Sequence, residues 1–302
     1  IDVYTVRGNH EAYAVGDTKP SYIDAFGADN PDNGPAGREN LTYSFTHKNA
    51  FVAMIDVYDR EPSNLTIPNL GDRSMEQAWL DGQLAPYQAA NAAGTLTDHV
   101  FVLAHEPMYP RRSGRDPGVD GAEREAFLDS LEDAGARVYL DGHDHQHSRS
   151  TMRVDPVTGE LPYQQVIAAP AGEKYYGYGP DGEAGNVEAN RQGRRPGYYV
   201  YTVDGLHLFA EFWSTPELDK DGPATFDWSV TERFGYSLNG PQFFVGVGDE
   251  YNGLNATITA GSHYVGTTAT LLDGANVTGH TNAIVDPGQF ETLGEVVTFG
   301  WY

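Results

Sequence analysis

The stretch ARVYLDGHDH, residues 136–145, runs from a short apolar segment directly into a polar turn that holds two histidines. A continuous apolar run of this length is typical of a strand that is buried on both faces, as in parallel sheets. His143 and His145 follow the predicted strand and are separated by one residue. In a turn, this spacing can direct two imidazoles at two neighbouring ions, so the stretch predicts both an α/β fold and a metal site.

Two earlier stretches show the same arrangement. HVFVLAH, residues 99–105, ends in His105, and the predicted strand IDVYTV, residues 1–6, is soon followed by Asn9 and His10. Imidazole and carboxamide groups held at strand ends by a rigid sheet are suited to bind a metal. A single histidine in such a place is more often an ordinary polar residue. Three such strand ends, in a chain without cysteine, predict a metal site.

Strands and helices alternate over the first two thirds of the chain. LTYSFTHKNAFVAMID, residues 41–56, predicts two strands around a short turn. Ser74 and Gln77 form a capping box that predicts the start of a helix. A second helix is predicted between Asp120 and Gly135. This order predicts a layered α/β domain whose site lies at the carboxyl ends of the strands.

The pattern changes near residue 197. GYYVYTVDGLHLFAEFW, residues 197–213, predicts a β-hairpin with Asp204-Gly205 as its turn. Beyond it the sequence shows short alternating runs rich in Gly, Thr and aromatic residues and no helical pattern. We therefore predict one domain over residues 1–217 and a β-rich C-terminal module over residues 218–302.

Charge limits the possible partners. The chain has 43 acidic and 19 basic residues and a formal net charge of −24, so its surface repels nucleic acid and anionic membranes. No apolar run is long enough to predict membrane insertion. Such acidity fits a halophilic protein and a merely acidic one equally well. Sequons at Asn40, Asn64, Asn255 and Asn276 favour a secreted or cell-surface protein.

Three motifs carry a family resemblance. GNHE (8–11), AHEP (104–107) and GHDH (142–145) resemble the third, fourth and fifth motifs of the calcineurin-like metallophosphoesterases. GHDHQHSR, which ends at Arg149, is similar to the purple acid phosphatase-like branch. The resemblance spans residues 1–216 and implies a double-sheet sandwich flanked by helices. It also implies a hydrolase that uses two divalent or trivalent transition-metal ions (Mn, Fe or Zn).

The resemblance assigns roles to the motif residues. It implies that Asn9, His105 and His143 bind one ion and that His145 binds the other. His10 would not be a ligand. As the catalytic residue it would lie beside the phosphoryl group and either stabilise charge or protonate the leaving oxygen. Two ions can clamp a phosphate and generate hydroxide near neutral pH, and an imidazole suits the accompanying proton transfer.

Further residues are predicted around this site. Glu11 either orients His10 or is an ordinary acid at a helix start, and Asp144 is expected outside the ligand shell. Arg111, Arg112 and Arg149 are predicted to bind substrate, because guanidinium groups contact phosphate with two donors. The alternative for the arginines is salt bridges with the abundant acidic residues.

The chain departs from the family pattern at its start. The first two motifs, Asp-x-His and Gly-Asp-x-x-Asp/Asn, find no match ahead of GNHE, so only part of the ligand set and of the first sheet is expected in this chain. Either the chain is a fragment, or the missing part lies on another polypeptide, or the site is a relic. The predicted function is metal-dependent hydrolysis of a small phosphomonoester or phosphodiester. The alternative is an extracellular structural or surface-assembly protein that is catalytically incomplete and self-assembles through its β-rich module.

Overall fold

A computed structural model describes residues 3–13, 19–58, 76–110, 121–152, 163–168, 186–192, 195–216 and 227–238, and strand segments at 243–245, 250–251, 256–257, 264–266, 272–273, 276–277 and 295–299. The chain divides into two compact units, Ile1–His143 and Asp144–Tyr302. No helix in the described ranges has the length and apolar character needed to cross a membrane.

The first unit combines a sheet with helices. Its elements are α1 (Asn9–Tyr13), α2 (Lys19–Tyr22), a π-helical segment (Ile23–Gly27), β1 (Tyr43–His47), β2 (Ala50–Ile55), α3 (Gln77–Ala92), β3 (His99–Ala104), α4 (Gly121–Asp133) and β4 (Val138–Asp141).

The sheet of this unit has the strand order β1-β2-β3-β4. β1 is antiparallel to β2, whereas β2, β3 and β4 are parallel to one another. Ile55 pairs with Ala104, and Leu103 pairs with Leu140, so the three parallel strands end at the same edge. Every residue of these three strands is buried, which explains their continuous apolar sequences. The predicted strands at 41–56, 99–105 and 136–145 are confirmed.

The two longer helices bury apolar faces. The buried residues are Leu80 and Leu84 in α3, and Phe127, Leu128 and Leu131 in α4. The end of α4 agrees with the sequence: Gly135 has a φ of +69°, and the Ala136 N–H donates to the Leu131 carbonyl at 2.9 Å. The predicted α/β arrangement of a central sheet with flanking helices is confirmed.

The start of α3 differs from the prediction. Ser74 lies outside the described residues, and the helix begins at Gln77 after Glu76, whose φ of +49° breaks the helical backbone. The Gln77 side-chain amide donates to Asp81 at 2.7 Å and to Ser130 at 2.8 Å. Gln77 therefore ties its helix to α4, and the predicted capping box, which needs Ser74, lies outside the described residues.

The predicted strand at residues 1–6 is wrong over Val3–Val6, which form no strand. Side chains bind the Thr5 backbone in place of a neighbouring strand. The Thr5 N–H donates to Asn30 Oδ1 at 3.4 Å, and the Tyr43 hydroxyl donates to the Thr5 carbonyl at 2.8 Å. An alternating pattern indicates that a segment could fit into a sheet, but it does not show that a partner strand is available beside it.

The second unit contains strands throughout its described residues. They are β5 (His147–Met152), β6 (Tyr163–Ile167), β7 (Asn186–Gln192), β8 (Gly197–Asp204), β9 (His207–Ser214), β10 (Ser229–Ser237), β11 (Phe243–Val245), β12 (Glu250–Tyr251), β13 (Ala256–Thr257), β14 (Tyr264–Gly266), β15 (Leu272–Asp273), β16 (Asn276–Val277) and β17 (Glu295–Phe299). Strands β6, β5 and β7 lie side by side, and a second sheet has the order β14-β11-β10-β9-β8-β17.

The hairpin of β8 and β9 forms with its turn one residue later than predicted. Asp204 pairs with His207, so Gly205 and Leu206 are the turn residues, and Gly205 adopts a φ of +55°. β10 pairs along β9, across the predicted boundary between residues 217 and 218. The division into a domain over residues 1–217 and a β-rich module over residues 218–302 stays a prediction.

Candidate functional site

Three of the predicted ligands meet in the first unit. Asn9 Oδ1 lies 3.0 Å from His105 Nε2 and 3.3 Å from His143 Nδ1. The same two ring nitrogens lie 3.3 Å from each other. His105 and His143 lie 96 and 134 positions after Asn9 in the chain, and the three residues thus form a triangle of one oxygen and two nitrogen atoms.

Neighbouring parallel strands bring the two histidines together. His105 directly follows β3, and His143 follows β4 after a single glycine. The Gly142 N–H donates to the His105 carbonyl at 3.0 Å, which joins the two strand ends. His143 is buried and has a φ of +62°, a left-handed conformation that is unfavourable for a residue with a Cβ atom. Such backbone strain is found where the surrounding structure holds a side chain in a functional position.

Gly8 lets the third ligand approach. A Cβ atom on Gly8 would lie 3.0 Å from His105 Cε1, so the α1 start packs directly on the imidazole. The Gly8 N–H donates to Glu11 Oε2 at 3.0 Å, and the Ala12 N–H donates to the Gly8 carbonyl at 3.0 Å. Asn9 is therefore the first residue of α1, and Glu11 makes the contact expected of a helix-start acid.

The triangle fits one metal ion. Donor atoms around an ion with bonds of about 2.1 Å lie roughly 3.0–3.4 Å apart, and all three separations fall in this range. Within the described ranges, His, Asp and Glu side chains form no group of three or more that could hold an ion. An ion at this place would be held by one amide oxygen and two imidazoles.

The remaining motif residues lie at different positions. His10 is exposed on α1, next to Asn9. In the second unit, Asp144 is buried, and His145 is half-buried with a φ of +28°. The assignment of His145 to a second ion stays a prediction.

Sequence reasoning missed a buried ion pair beside these ligands. Arg7 Nη2 donates to Asp56 Oδ2 at 2.6 Å and to the Tyr58 carbonyl at 2.6 Å, and Arg7 Nε lies 3.3 Å from Asp56 Oδ1. Asp56 directly follows β2, just as His105 follows β3. The Tyr58 hydroxyl in turn donates to Glu106 Oε1 at 2.7 Å. The sequence signal that could have indicated Asp56 is its position as an acid directly after a predicted buried strand.

The predicted substrate arginines have different outcomes. Arg111 and Arg112 lie outside the described residues. Arg149, on β5, is fully buried, lies over the Phe234 ring at 4.7 Å and donates from Nε to Glu232 at 2.5 Å. Its guanidinium thus contacts an acid and an aromatic ring inside the second unit. The sequence had predicted a substrate phosphate as its partner.

Glu232 contacts several residues of that unit. The Tyr199 hydroxyl donates to Glu232 Oε2 at 2.6 Å, and His147 Nε2 lies 2.8 Å from the same oxygen. Burial raises the pKa of Glu232, but the charges of Arg149 and His147 outweigh it and lower this pKa from 4.5 to about 2. Glu232 also raises the pKa of Tyr199, although burial is the larger cause.

Comparison with known proteins indicates a family and a fold. The sequence model of the calcineurin-like phosphoesterase family matches residues 1–147. Among solved structures, a purple acid phosphatase from yellow lupin (Lupinus luteus) shares 16% identity at a TM-score of 0.51, covering 77% of this chain and 40% of its own. This likeness shows a common fold. A comparison with curated proteins found no match.

Two further structures share 15% identity with this chain. PhoD has a TM-score of 0.41 and covers 70% of this chain and 45% of its own. GAP50 of Plasmodium has a TM-score of 0.36 and covers 63% and 52% respectively. The chain therefore spans about half or less of the length of these three structures.

Proposed function

Because residues 1–147 belong to the calcineurin-like phosphoesterase superfamily, we propose that the chain carries a metal-dependent phosphoester hydrolase site. The observation that supports this most directly is the triangle of Asn9, His105 and His143, with its three separations of 3.0–3.3 Å. Its place at the carboxyl ends of parallel strands is where open α/β sheets bind ligands.

The residues of the triangle would hold one transition-metal ion, and His145 would contribute to a second. Such ions supply positive charge toward phosphoryl oxygens and lower the pKa of water toward neutrality. His10 is exposed and adjacent to a ligand, so its imidazole can reach a bound phosphoester and donate a proton to the leaving oxygen. The helix contacts of Glu11 hold the α1 start on which Asn9 and His10 lie.

The substrate class is a small phosphomonoester or phosphodiester. Arg111 and Arg112 follow the AHEP motif closely in sequence, and guanidinium groups there can contact the phosphate. Because such contacts bind ground state and transition state alike, Arg112→Ala should raise KM more than it lowers kcat. Unchanged KM would remove this arginine from the proposal.

Metal analysis and turnover test the function. Purified protein is loaded with Mn²⁺, Fe²⁺ or Zn²⁺, and hydrolysis of p-nitrophenyl phosphate and bis-p-nitrophenyl phosphate is followed. His143→Ala should abolish metal-dependent turnover. His47→Ala is the matched control, since His47 is exposed and pairs with Ala50 at the opposite edge of the same sheet. Loss of activity in both variants, or in neither, would contradict the proposed site.

The same experiment judges the alternative of a structural protein. A wild-type chain that binds no ion, turns over neither ester and forms ordered polymers in electron micrographs would favour an assembly role over catalysis. Stoichiometric metal with turnover would exclude that role as the sole function.

A further inference from the structure

We propose that the buried Arg7–Asp56 ion pair positions Asn9 for metal binding. This inference rests on the proposed function, because it concerns the same site. Arg7 lies two residues before Asn9, and only 2% of its surface is exposed. Neither residue of the pair would touch the ion or the substrate, so both act through the backbone that leads to Asn9.

The contacts of Arg7 fix that backbone to a strand end. Its guanidinium bonds both oxygens of Asp56 and also the Tyr58 carbonyl, with the two shortest contacts at 2.6 Å. A planar guanidinium in three hydrogen bonds has little freedom to rotate or shift. The segment that enters α1 is consequently anchored at the end of β2.

Asp56 is itself held firmly. Its N–H donates to Thr42 Oγ1 at 3.0 Å, and its Oδ1 accepts from the Tyr58 N–H at 3.1 Å. Ile55, the residue before it, pairs with Ala104, the residue before His105. The anchor of Asn9 and the strand that carries His105 are therefore neighbours in one rigid sheet.

Charge balance indicates a positional role. Asp56 faces both Arg7 and Arg38, and the Arg38 Nε lies 3.2 Å from Glu76 Oε1. Among the described residues, the two arginines and the two acids of this group carry no formal net charge. We therefore expect the pair to affect a bound ion mainly through the placement of Asn9.

The close packing of Gly8 on His105 depends on how the segment from Arg7 to Asn9 is placed. Gly8, between Arg7 and Asn9, packs so tightly that a Cβ atom there would lie 3.0 Å from His105 Cε1. A shift of the Arg7 segment would therefore move Asn9 Oδ1 relative to the two ring nitrogens. Groups that orient metal ligands typically change metal affinity by about 10–100-fold when they are removed.

The test compares Arg7→Gln, Arg7→Lys and Asp56→Asn with Glu232→Gln, which breaks a matched buried ion pair in the second unit. Mn²⁺ affinity is measured by calorimetry on the full chain. Arg7→Gln and Asp56→Asn should weaken binding about 10–100-fold. Arg7→Lys should lose less affinity, because the lysine ammonium keeps the positive charge but lacks the two parallel donors of a guanidinium. Glu232→Gln should lower the melting temperature and leave the affinity unchanged.

Amide hydrogen exchange of the metal-free chain tests positioning separately from metal binding. Arg7→Gln should speed exchange in residues 8–13, and Glu232→Gln should not. Wild-type exchange in Arg7→Gln, or an equal effect of both variants, overturns the inference. If wild type binds no Mn²⁺, the proposed function fails, while the exchange result alone decides the positional role. Should Arg7→Gln fail to fold, Arg7→Lys serves in both measurements.

Discussion

The Nε2 atom of His105 lies 3.3 Å from the Nδ1 atom of His143, at the ends of two parallel strands. The oxygen of Asn9 completes the triangle. When each ring carries its proton on the other nitrogen, three lone pairs face one another. A cation can contact all three at once and relieve their mutual repulsion.

Metal removal should lower the stability of the chain. An ion that binds only the folded state adds about 2.7 kcal/mol when its concentration is 100 times Kd. We expect Mn²⁺ to raise the free energy of unfolding by about this amount and EDTA to abolish the gain. Urea unfolding with and without each reagent measures it. Asn9→Ala should lose the gain and His47→Ala should keep it, whereas equal unfolding curves with Mn²⁺ and EDTA would contradict an ion at this site.

The strand-end histidines of the candidate site could be predicted because their signal is local. The apolar runs before His105 and His143 indicate buried strands, and buried parallel strands end at one edge. The geometry of their meeting is not local. The positive φ of His143 and the Gly142 bond to His105 depend on a neighbouring strand end that the sequence does not identify.

Burial and pairing explain what the sequence analysis missed or misplaced. Arg7 and Asp56 are 49 residues apart, and nothing in either segment indicates the other. Arg149 has the residue type of a phosphate contact, yet its partner Glu232 lies 83 residues away on another strand. Residue type predicts which chemistry is possible, whereas long-range pairing decides which of the possible contacts is made.

Removal of the His10 imidazole should slow turnover without loss of metal. A positioned general acid contributes about 10²–10⁴-fold, so His10→Gln should lower kcat by that factor at unchanged Mn²⁺ affinity. The loss should be larger for an alkyl phosphate than for p-nitrophenyl phosphate, because nitrophenolate leaves without a proton. Kinetics on both esters measure this, with His47→Gln as the control. An equal loss on both esters would contradict the role of His10 as an acid.

Acid should destabilise the second unit through Glu232. Its pKa is lowered in the folded state from 4.5 to about 2. Its contribution to stability is therefore present above about pH 4.5 and is lost as the pH falls toward 2. Glu232→Gln should cost about 3–5 kcal/mol at pH 7, because it leaves the Arg149 charge buried without its partner.

Urea unfolding between pH 2 and pH 7 measures this, and the variant should show a flatter dependence on pH than the wild type. Glu211→Gln is a suitable control, since Glu211 is only half-buried on β9 and a glutamine oxygen can still accept the hydrogen bond from Trp213, so this substitution should cost less than Glu232→Gln. A steep acid transition retained in Glu232→Gln would assign the pH dependence to other groups.

A methyl group at Gly8 should disturb the site more than the fold. In Gly8→Ala the new Cβ atom would lie 2.8 Å from Glu11 Oε2 and 3.0 Å from His105 Cε1. A shift of the carboxylate would strain its bond from the Gly8 N–H, and a shift of the ring would change its 3.0 Å contact with Asn9. We expect a loss of about 1–3 kcal/mol in stability and weaker Mn²⁺ binding. Gly82→Ala is the control. Gly82 lies inside α3, and among the described residues no atom outside the adjoining helix backbone lies within 4 Å of the position that its new methyl group would take. That variant should gain about 0.5–1 kcal/mol in stability and keep its metal. Calorimetric titration and urea unfolding of the two variants decide the matter, and wild-type affinity in Gly8→Ala would show that the His105 ring can shift without loss of the ion.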